Sequence, residues 1–184
     1  MPSTLCISSH SPEETQEIGR SIGAQARQGD IFLLTGPLGA GKTCLTQGIA
    51  WGLGVVGYTR SPTFVLIARY HGRVSLYHLD LYRINDPLEA WNLGLDEQLF
   101  GDGVCVVEWA DRASEVFPEH SLWIALDYAR PIGATYAMAL QAEGTPSHSK
   151  RTITILEAPL RYDPLLEKLA SAFAVVKTKH DPGH

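Results

Sequence analysis

The chain has 184 residues, is 45% apolar and carries a formal charge of −5, with a pI near 5.8; that suffices for one core, is cramped for two, and excludes gripping nucleic acid with a basic surface of its own. Any role in RNA chemistry must then pass through a partner. No apolar run approaches the ~20 residues of a membrane span, the opening MPSTLCISSH lacks the basic and apolar regions of an export signal, and the scattered Cys6, Cys44 and Cys105 build no disulfide framework, so a cytoplasmic protein with reduced thiols is expected.

In chain order, the first predicted element is a helix. Ser11 is its N-cap, Pro12 stands at the first helical position, Glu14 lies three residues beyond the cap, and Gly29 and Asp30 stop it. IFLLT is a short continuous apolar run of the kind buried on both faces of a parallel sheet. GPLGAGKT follows, from Gly36 to Thr43, and KTCLTQGIAWGL then has apolar residues at helical spacing until Gly52 and Gly54. VLIARY and VSLYHL flank HGR as a β-hairpin with His71 and Gly72 at its turn. A helix starts near Asp86 and Pro87 and is interrupted at Gly94; GVCVVEW is a second buried strand and SLWIALDYA a third. ATYAMALQAEG and RTITILE form a late hairpin, PLLEKLASAFAVV is an amphipathic helix, and KTKHDPGH is a frayed tail. The order implies an α/β fold, a three-layer sandwich with a mixed central sheet and β-hairpin additions. Residues 1–156 would form its body, and residues 157–184 a C-terminal helix and tail of the same domain.

The loop is the most informative stretch. In a G-x-x-x-x-G-K-[ST] loop the glycines let successive backbone N–H groups wrap phosphate oxygens, and the helix behind adds its positive end. Gly36, Leu38, Gly39, Ala40 and Gly41 would form the cradle, Lys42 would reach the β- and γ-phosphates of a nucleotide, and the Thr43 hydroxyl would bind Mg2+. A lysine at a helix start, where the dipole disfavours a cation, argues against a turn that binds nothing. Carboxylates are needed as well, and in open α/β sheets they come from the carboxyl ends of strands. Glu108 ends VCVVE and Asp80 ends SLYHLD. Thr63 of SPTF stands where nucleotide switches keep a threonine that closes over metal and γ-phosphate, although Pro62 and Ser61 also suit a plain turn. Trp109 reads as a core aromatic.

Taken together, GPLGAGKT, SPTF, HLDLYR and VVEWADR, in this order and spacing, resemble the TsaE family, the small P-loop ATPases of bacterial tRNA threonylcarbamoyladenosine synthesis. The resemblance spans residues 10 to 145 and implies a P-loop NTPase-like fold and hydrolysis of ATP with Mg2+. It also implies work in a complex with TsaB and TsaD, TsaD carrying the chemistry on adenosine 37, so that tRNA is met only indirectly; self-association without the partners is compatible with it. By the same resemblance Thr43 and Glu108 hold the metal, Lys42 the phosphates, Asp80 is needed for hydrolysis, Thr63 is a switch residue, and Pro12 and Asp111 border the nucleotide. Three departures stand out, one being that the segment from about Arg151 to His184 lies partly beyond the usual family length and inherits no role. The family has a proline and an acidic residue after VEW where this chain has Ala110 and Asp111, and many members carry an arginine after the turn that opens the late hairpin, where Gly133 and Ala134 stand here, with Arg130 nearby.

The alternative is a P-loop small-molecule kinase, which would need a lid with several arginines over the transferred phosphate. Arg60, Arg69, Arg73 and Arg83 are instead spread around the first hairpin, and no N-K-x-D stretch supports a guanine switch.

Overall fold

The computed structural model describes residues 3–64, 66–129 and 150–176. Among these residues seven strands, β1 (Ser3–Ser9), β2 (Ile31–Thr35), β3 (Ile67–Tyr70), β4 (Leu76–Asp80), β5 (Val104–Glu108), β6 (Leu122–Tyr128) and β7 (Arg151–Ala158), form one sheet in the spatial order β1-β7-β6-β2-β5-β4-β3. The inner four, β6, β2, β5 and β4, run parallel. Antiparallel strands close both sides, β7 and β1 beyond β6 and β3 beyond β4.

Alternation along the inner strands decides the layers. Phe32 and Leu34 of β2 and Val104 and Val106 of β5 face α1 (Pro12–Gln25), α2 (Lys42–Gly52) and α5 (Asp163–Ala172). Ile31, Leu33, Cys105 and Val107 face the opposite way, onto α3 (Pro87–Asn92), α4 (Asp96–Phe100) and the 3-10 segment Ala110–Val116. A strand buried on both faces reads as a continuous apolar run, which is why IFLLT and VCVV carry no polar alternation. The mixed sandwich expected from the sequence is the fold observed.

Helix α1 begins as its sequence dictates. Glu14 N donates to Ser11 Oγ at 3.1 Å, while the Glu14 carboxylate reaches back to accept from His10 N at 2.7 Å, one residue before the usual capping-box partner. It ends at Gln25 with Ala26 as C-cap, earlier than Gly29 and Asp30 suggested. Gly94, at φ 65°, separates α3 from α4 as expected.

Helices α1 and α2 touch backbone to backbone. A Cβ on Gly19 or Gly23 would lie less than 3 Å from the carbonyl oxygens of Leu45 or Ile49, and one on Gly48 or Gly52 less than 3 Å from those of Gln16 or Arg20. Two glycines spaced by four on each helix therefore set how closely α1 backs the helix that follows the loop Gly36–Gly41.

Strand β1 is an addition to the expected order. It pairs with β7, and on its free side Ser8 N donates to Ala174 O at 3.1 Å and Val176 N to Cys6 O at 2.8 Å, so the chain after α5 covers that edge. The expected strand ATYAMALQAEG, Arg130 and the tail KTKHDPGH lie outside the described residues.

Candidate functional site

The register of the parallel strands assembles the site. Leu34 of β2 and Asp80 of β4 both pair with Glu108 of β5, so two carboxylates end adjacent strands beside the loop that leaves β2 after Thr35. His78, Asp80 and Glu108 lie on the sheet face toward α2, since His78 and Asp80 are two residues apart on β4 and Glu108 shares the parity of Val104 and Val106. A cavity of about 420 Å³ opens here, between the loop, the SPTF segment and the two strand ends.

Glu108 is 2% exposed and fully engaged. Its Oε2 accepts from Thr43 Oγ1 at 2.8 Å; its Oε1 accepts from Thr46 Oγ1 at 3.3 Å and is 2.8 Å from His78 Nε2. An ionised carboxylate only accepts, so His78 carries its proton on Nε2. The other ring nitrogen, Nδ1, is buried with no hydrogen-bond partner among the described residues.

Asp80, also 2% exposed, holds the SPTF segment. Its Oδ2 accepts from Thr63 Oγ1 at 2.7 Å and from Ser61 Oγ, and its Oδ1 accepts from Tyr82 N at 2.8 Å. The Ser61 and Thr63 hydroxyls are themselves 2.8 Å apart. The Ser61 hydroxyl thus makes the local contact that a plain turn implies and also bridges to β4.

Lys42 points into the same space. Its ammonium donates to Gly36 O at 2.6 Å and Pro37 O at 3.0 Å and lies 3.6 Å from the centroid of the Trp109 ring. Burial lowers its pKa from the ordinary lysine value, opposed by the negative charges of Glu108, Asp111 and Asp80. Trp109 is therefore more than a core aromatic. It sits in the left-handed region, at φ 59°, packs 5.0 Å from the Tyr82 ring and lines the cavity.

The loop needs its glycines. A Cβ at Gly36 would collide with Leu126 O, and Gly41, at φ 105°, is an N-cap with no side chain to accept from the first-turn amides of α2. Leu38 is exposed at the loop tip and Ala40 is buried beneath it. Of the two expected bordering residues, Pro12 lies against the start of α2, its carbonyl 3.2 Å from Cys44 Sγ. Asp111 comes near enough to favour the charged form of Lys42. Neither lines the cavity. Ser61 stands in SPTF and His78 and Tyr82 in HLDLYR, but the sequence singles out only Thr63 and Asp80 there as site residues; Thr46 lies outside these stretches and is marked only by its one-turn spacing from Lys42.

The model of the family described as Threonylcarbamoyl adenosine biosynthesis protein TsaE matches residues 9–132. The chain belongs to the TsaE family. Among its TsaE relatives, the tRNA threonylcarbamoyladenosine biosynthesis protein TsaE of Bacillus subtilis is 40% identical over 160 residues, 86% of this chain and 89% of that protein. The protein of the same name from Treponema pallidum is 41% identical over 121 residues, 66% of this chain and 89% of its own. The crystal structure of Bacillus subtilis YdiB aligns with a TM-score of 0.70 at 37% identity, covering 93% of this chain and 97% of that one. Among the described residues of this TsaE-family chain, no helix is long and apolar enough to cross a membrane.

Proposed function

We propose that the chain is the ATP-binding and ATP-hydrolysing component of the machinery that makes N6-threonylcarbamoyladenosine at position 37 of tRNA, acting in the cytoplasm with TsaD and TsaB. The observation that carries the reading is the bond from Thr43 Oγ1 to Glu108 Oε2 at 2.8 Å, which joins the hydroxyl at the end of a phosphate loop to the carboxylate of the neighbouring strand.

The residues fit the nucleotide and its metal. Uncapped first-turn amides on α2 suit an anion, and a hydroxyl beside a carboxylate is the hard oxygen set that Mg2+ prefers. Thr43 and Glu108 would hold Mg2+, which would supply neutralisation of the negative charge on the nucleotide phosphates. Lys42 exchanges the carbonyls of Gly36 and Pro37 for phosphate oxygens, trading neutral acceptors for charged ones. Gly36, Leu38, Gly39, Ala40 and Gly41 form the rest of the cradle, with the amides of Gly39 and Gly41 as donors and Pro12 and Asp111 at its border. His78 and Thr46 hold the Glu108 carboxylate in the rotamer that meets Thr43. Asp80, freed from the Ser61 and Thr63 hydroxyls as these turn toward the γ-phosphate, is the carboxylate that orients the attacking water.

The test is phosphate release by the purified chain, alone and then with TsaB, TsaD and tRNA. Marked stimulation by the pair, without transfer of phosphate to a small acceptor, is expected. Turnover indifferent to the partners would overturn the reading and favour a small-molecule kinase, to be sought by an acceptor screen.

A further inference from the structure

Three consecutive carbonyls of the phosphate loop are held from behind by side chains of the far strands. Tyr128, the last residue of β6, donates its hydroxyl to Leu38 O at 2.8 Å. Arg151, the first residue of β7, donates Nη2 to Gly39 O at 3.1 Å and Nε to Ala40 O at 3.0 Å. The guanidinium lies 4.6 Å from the centroid of the Tyr128 ring, so the two side chains brace one another. Gly39 is confined from the same side, since a Cβ there would come 2.8 Å from the Tyr128 hydroxyl.

The consequence follows from the planarity of the peptide group. In a trans peptide the C=O and the following N–H point in opposite directions. Tying Leu38 O, Gly39 O and Ala40 O to the outside therefore turns the N–H groups of Gly39, Ala40 and Gly41 to the inside. Ala40 N closes a turn on Pro37 O at 3.2 Å, which leaves the amides of Gly39 and Gly41 as the donors that the arrangement aims. A cation bonded to the carbonyl end of a peptide also polarises it, which strengthens the donor at the other end.

We propose that Arg151 and Tyr128 are positioning residues for the nucleotide phosphates: a clamp from β6 and β7 that fixes the loop amides in their phosphate-binding orientation without touching the ligand. The inference rests on the nucleotide reading above. It gives β7 a role toward the loop at a position, Arg151, beyond the stretch over which the family motifs run. Because the clamp acts on amides that meet phosphate, its loss must weaken ligands in proportion to the phosphate they carry. A residue that merely held the fold together would weaken all ligands alike.

The experiment is calorimetric titration of the full chain with ATP, ADP and adenosine, for wild type, Arg151→Ala, Arg151→Lys and Tyr128→Phe, with the thermal midpoint of each protein alone. Arg151→Ala loses two bonds to the loop and is expected to bind ATP and ADP about tenfold more weakly, with adenosine affinity unchanged, KM raised and kcat held. Arg151→Lys keeps the charge but lacks the guanidinium fork, so its loss is intermediate, and Tyr128→Phe shows a smaller loss of the same kind. ATP and ADP affinities in Arg151→Ala equal to wild type would overturn the clamp while leaving the nucleotide reading intact. So would a loss shared by adenosine and accompanied by a lowered midpoint. If Arg151→Ala fails to fold, Tyr128→Phe and Arg151→Lys decide by the same comparison. Wild-type protein that binds no ATP would overturn the nucleotide reading, and the clamp with it.

Discussion

Lys42 and Asp80 share one cavity but hold different things, so their substitutions should separate binding from turnover. Lys42 has its ammonium on two loop carbonyls and an aromatic face. Lys42→Ala is expected to remove a charge-assisted phosphate contact of roughly 1.5–3 kcal/mol, which is about 10- to 150-fold in ATP affinity by calorimetry. An unchanged affinity would remove Lys42 from the phosphate site. Asp80 has its carboxylate on the hydroxyls of Ser61 and Thr63 and on Tyr82 N. Asp80→Asn keeps the shape and deletes an anion beside a polyanionic ligand, so ATP affinity should hold or improve while partner-stimulated turnover drops by about 100-fold, the scale of a lost general base. Normal turnover in that variant would take the water-orienting role from Asp80 and leave Glu108, the site's other buried carboxylate, to be tested for it. The sequence singled out Asp80 and Glu108 as carboxylates that end strands, and Lys42 from the loop pattern. The partners of the carboxylates were not legible there. Thr46 and His78 reach Glu108 only through the register of β4 on β5 and the rotation of α2, which one-dimensional spacing does not carry. The left-handed turn at Trp109 that brings its ring to Lys42 is likewise invisible before the strand end and the following 3-10 segment are placed.

At the scale of elements, the contact of α1 with α2 is the most sensitive part of the fold. A methyl on Gly48 would enter the space of the Gln16 carbonyl, which is helix backbone and cannot turn aside. Alanine gains about 1 kcal/mol over glycine in helix propensity, whereas overpacking costs typically 1–3 kcal/mol and more where backbone must part. The clash wins by about 1–2 kcal/mol, and Gly48→Ala should lower the thermal midpoint by roughly 2–8 °C. A midpoint at or above wild type would show that the helices can separate freely. A second element is pinned by Tyr162, at the entry to α5, whose ring packs 6.1 Å from that of Phe32. Burial, and after it the charge of Asp30, pushes its phenol pKa above the ordinary value. A raised folded pKa means that the fold favours the neutral phenol. Its contribution is complete below pH ~10, the unfolded value, and is lost as pH climbs through the folded one. Urea midpoints of wild type should fall more steeply above pH ~10 than those of Tyr162→Phe, and parallel curves would contradict the assignment. The inner strands, the loop and the helix interruption at Gly94 were readable because apolar runs, glycines and caps are local signals. Strand β1 was missed, although Leu5 and Ile7 alternate as an edge strand should. A seven-residue polar stretch gains its identity only from β7 and from the returning segment 174–176, both far off in sequence.

Over the whole molecule, charge and its disposition bear on how a protein of tRNA chemistry meets tRNA. Lysine and arginine number 15 against 20 aspartates and glutamates. Several arginines are already engaged within the described residues: Arg73 on the carbonyls of Gly23 and Ala26, Arg112 on Ile84 O, Arg161 on Asp30, and Arg151 on the phosphate loop. Sequence-independent affinity for nucleic acid grows with the number of phosphates neutralised and falls with salt accordingly. A chain that is net negative and has these side chains occupied should neutralise few. Free protein is therefore expected to bind tRNA no more tightly than about 10 μM at ~0.1 M salt, at the weak end of non-specific binding, with a shallow salt dependence, as read by fluorescence anisotropy of labelled tRNA. Addition of TsaD and TsaB should bring the chain onto tRNA without any change in its own surface. Tight, steeply salt-dependent binding by the chain alone would mean that it presents a phosphate-reading face of its own, and the proposed route to tRNA through the partners would fail.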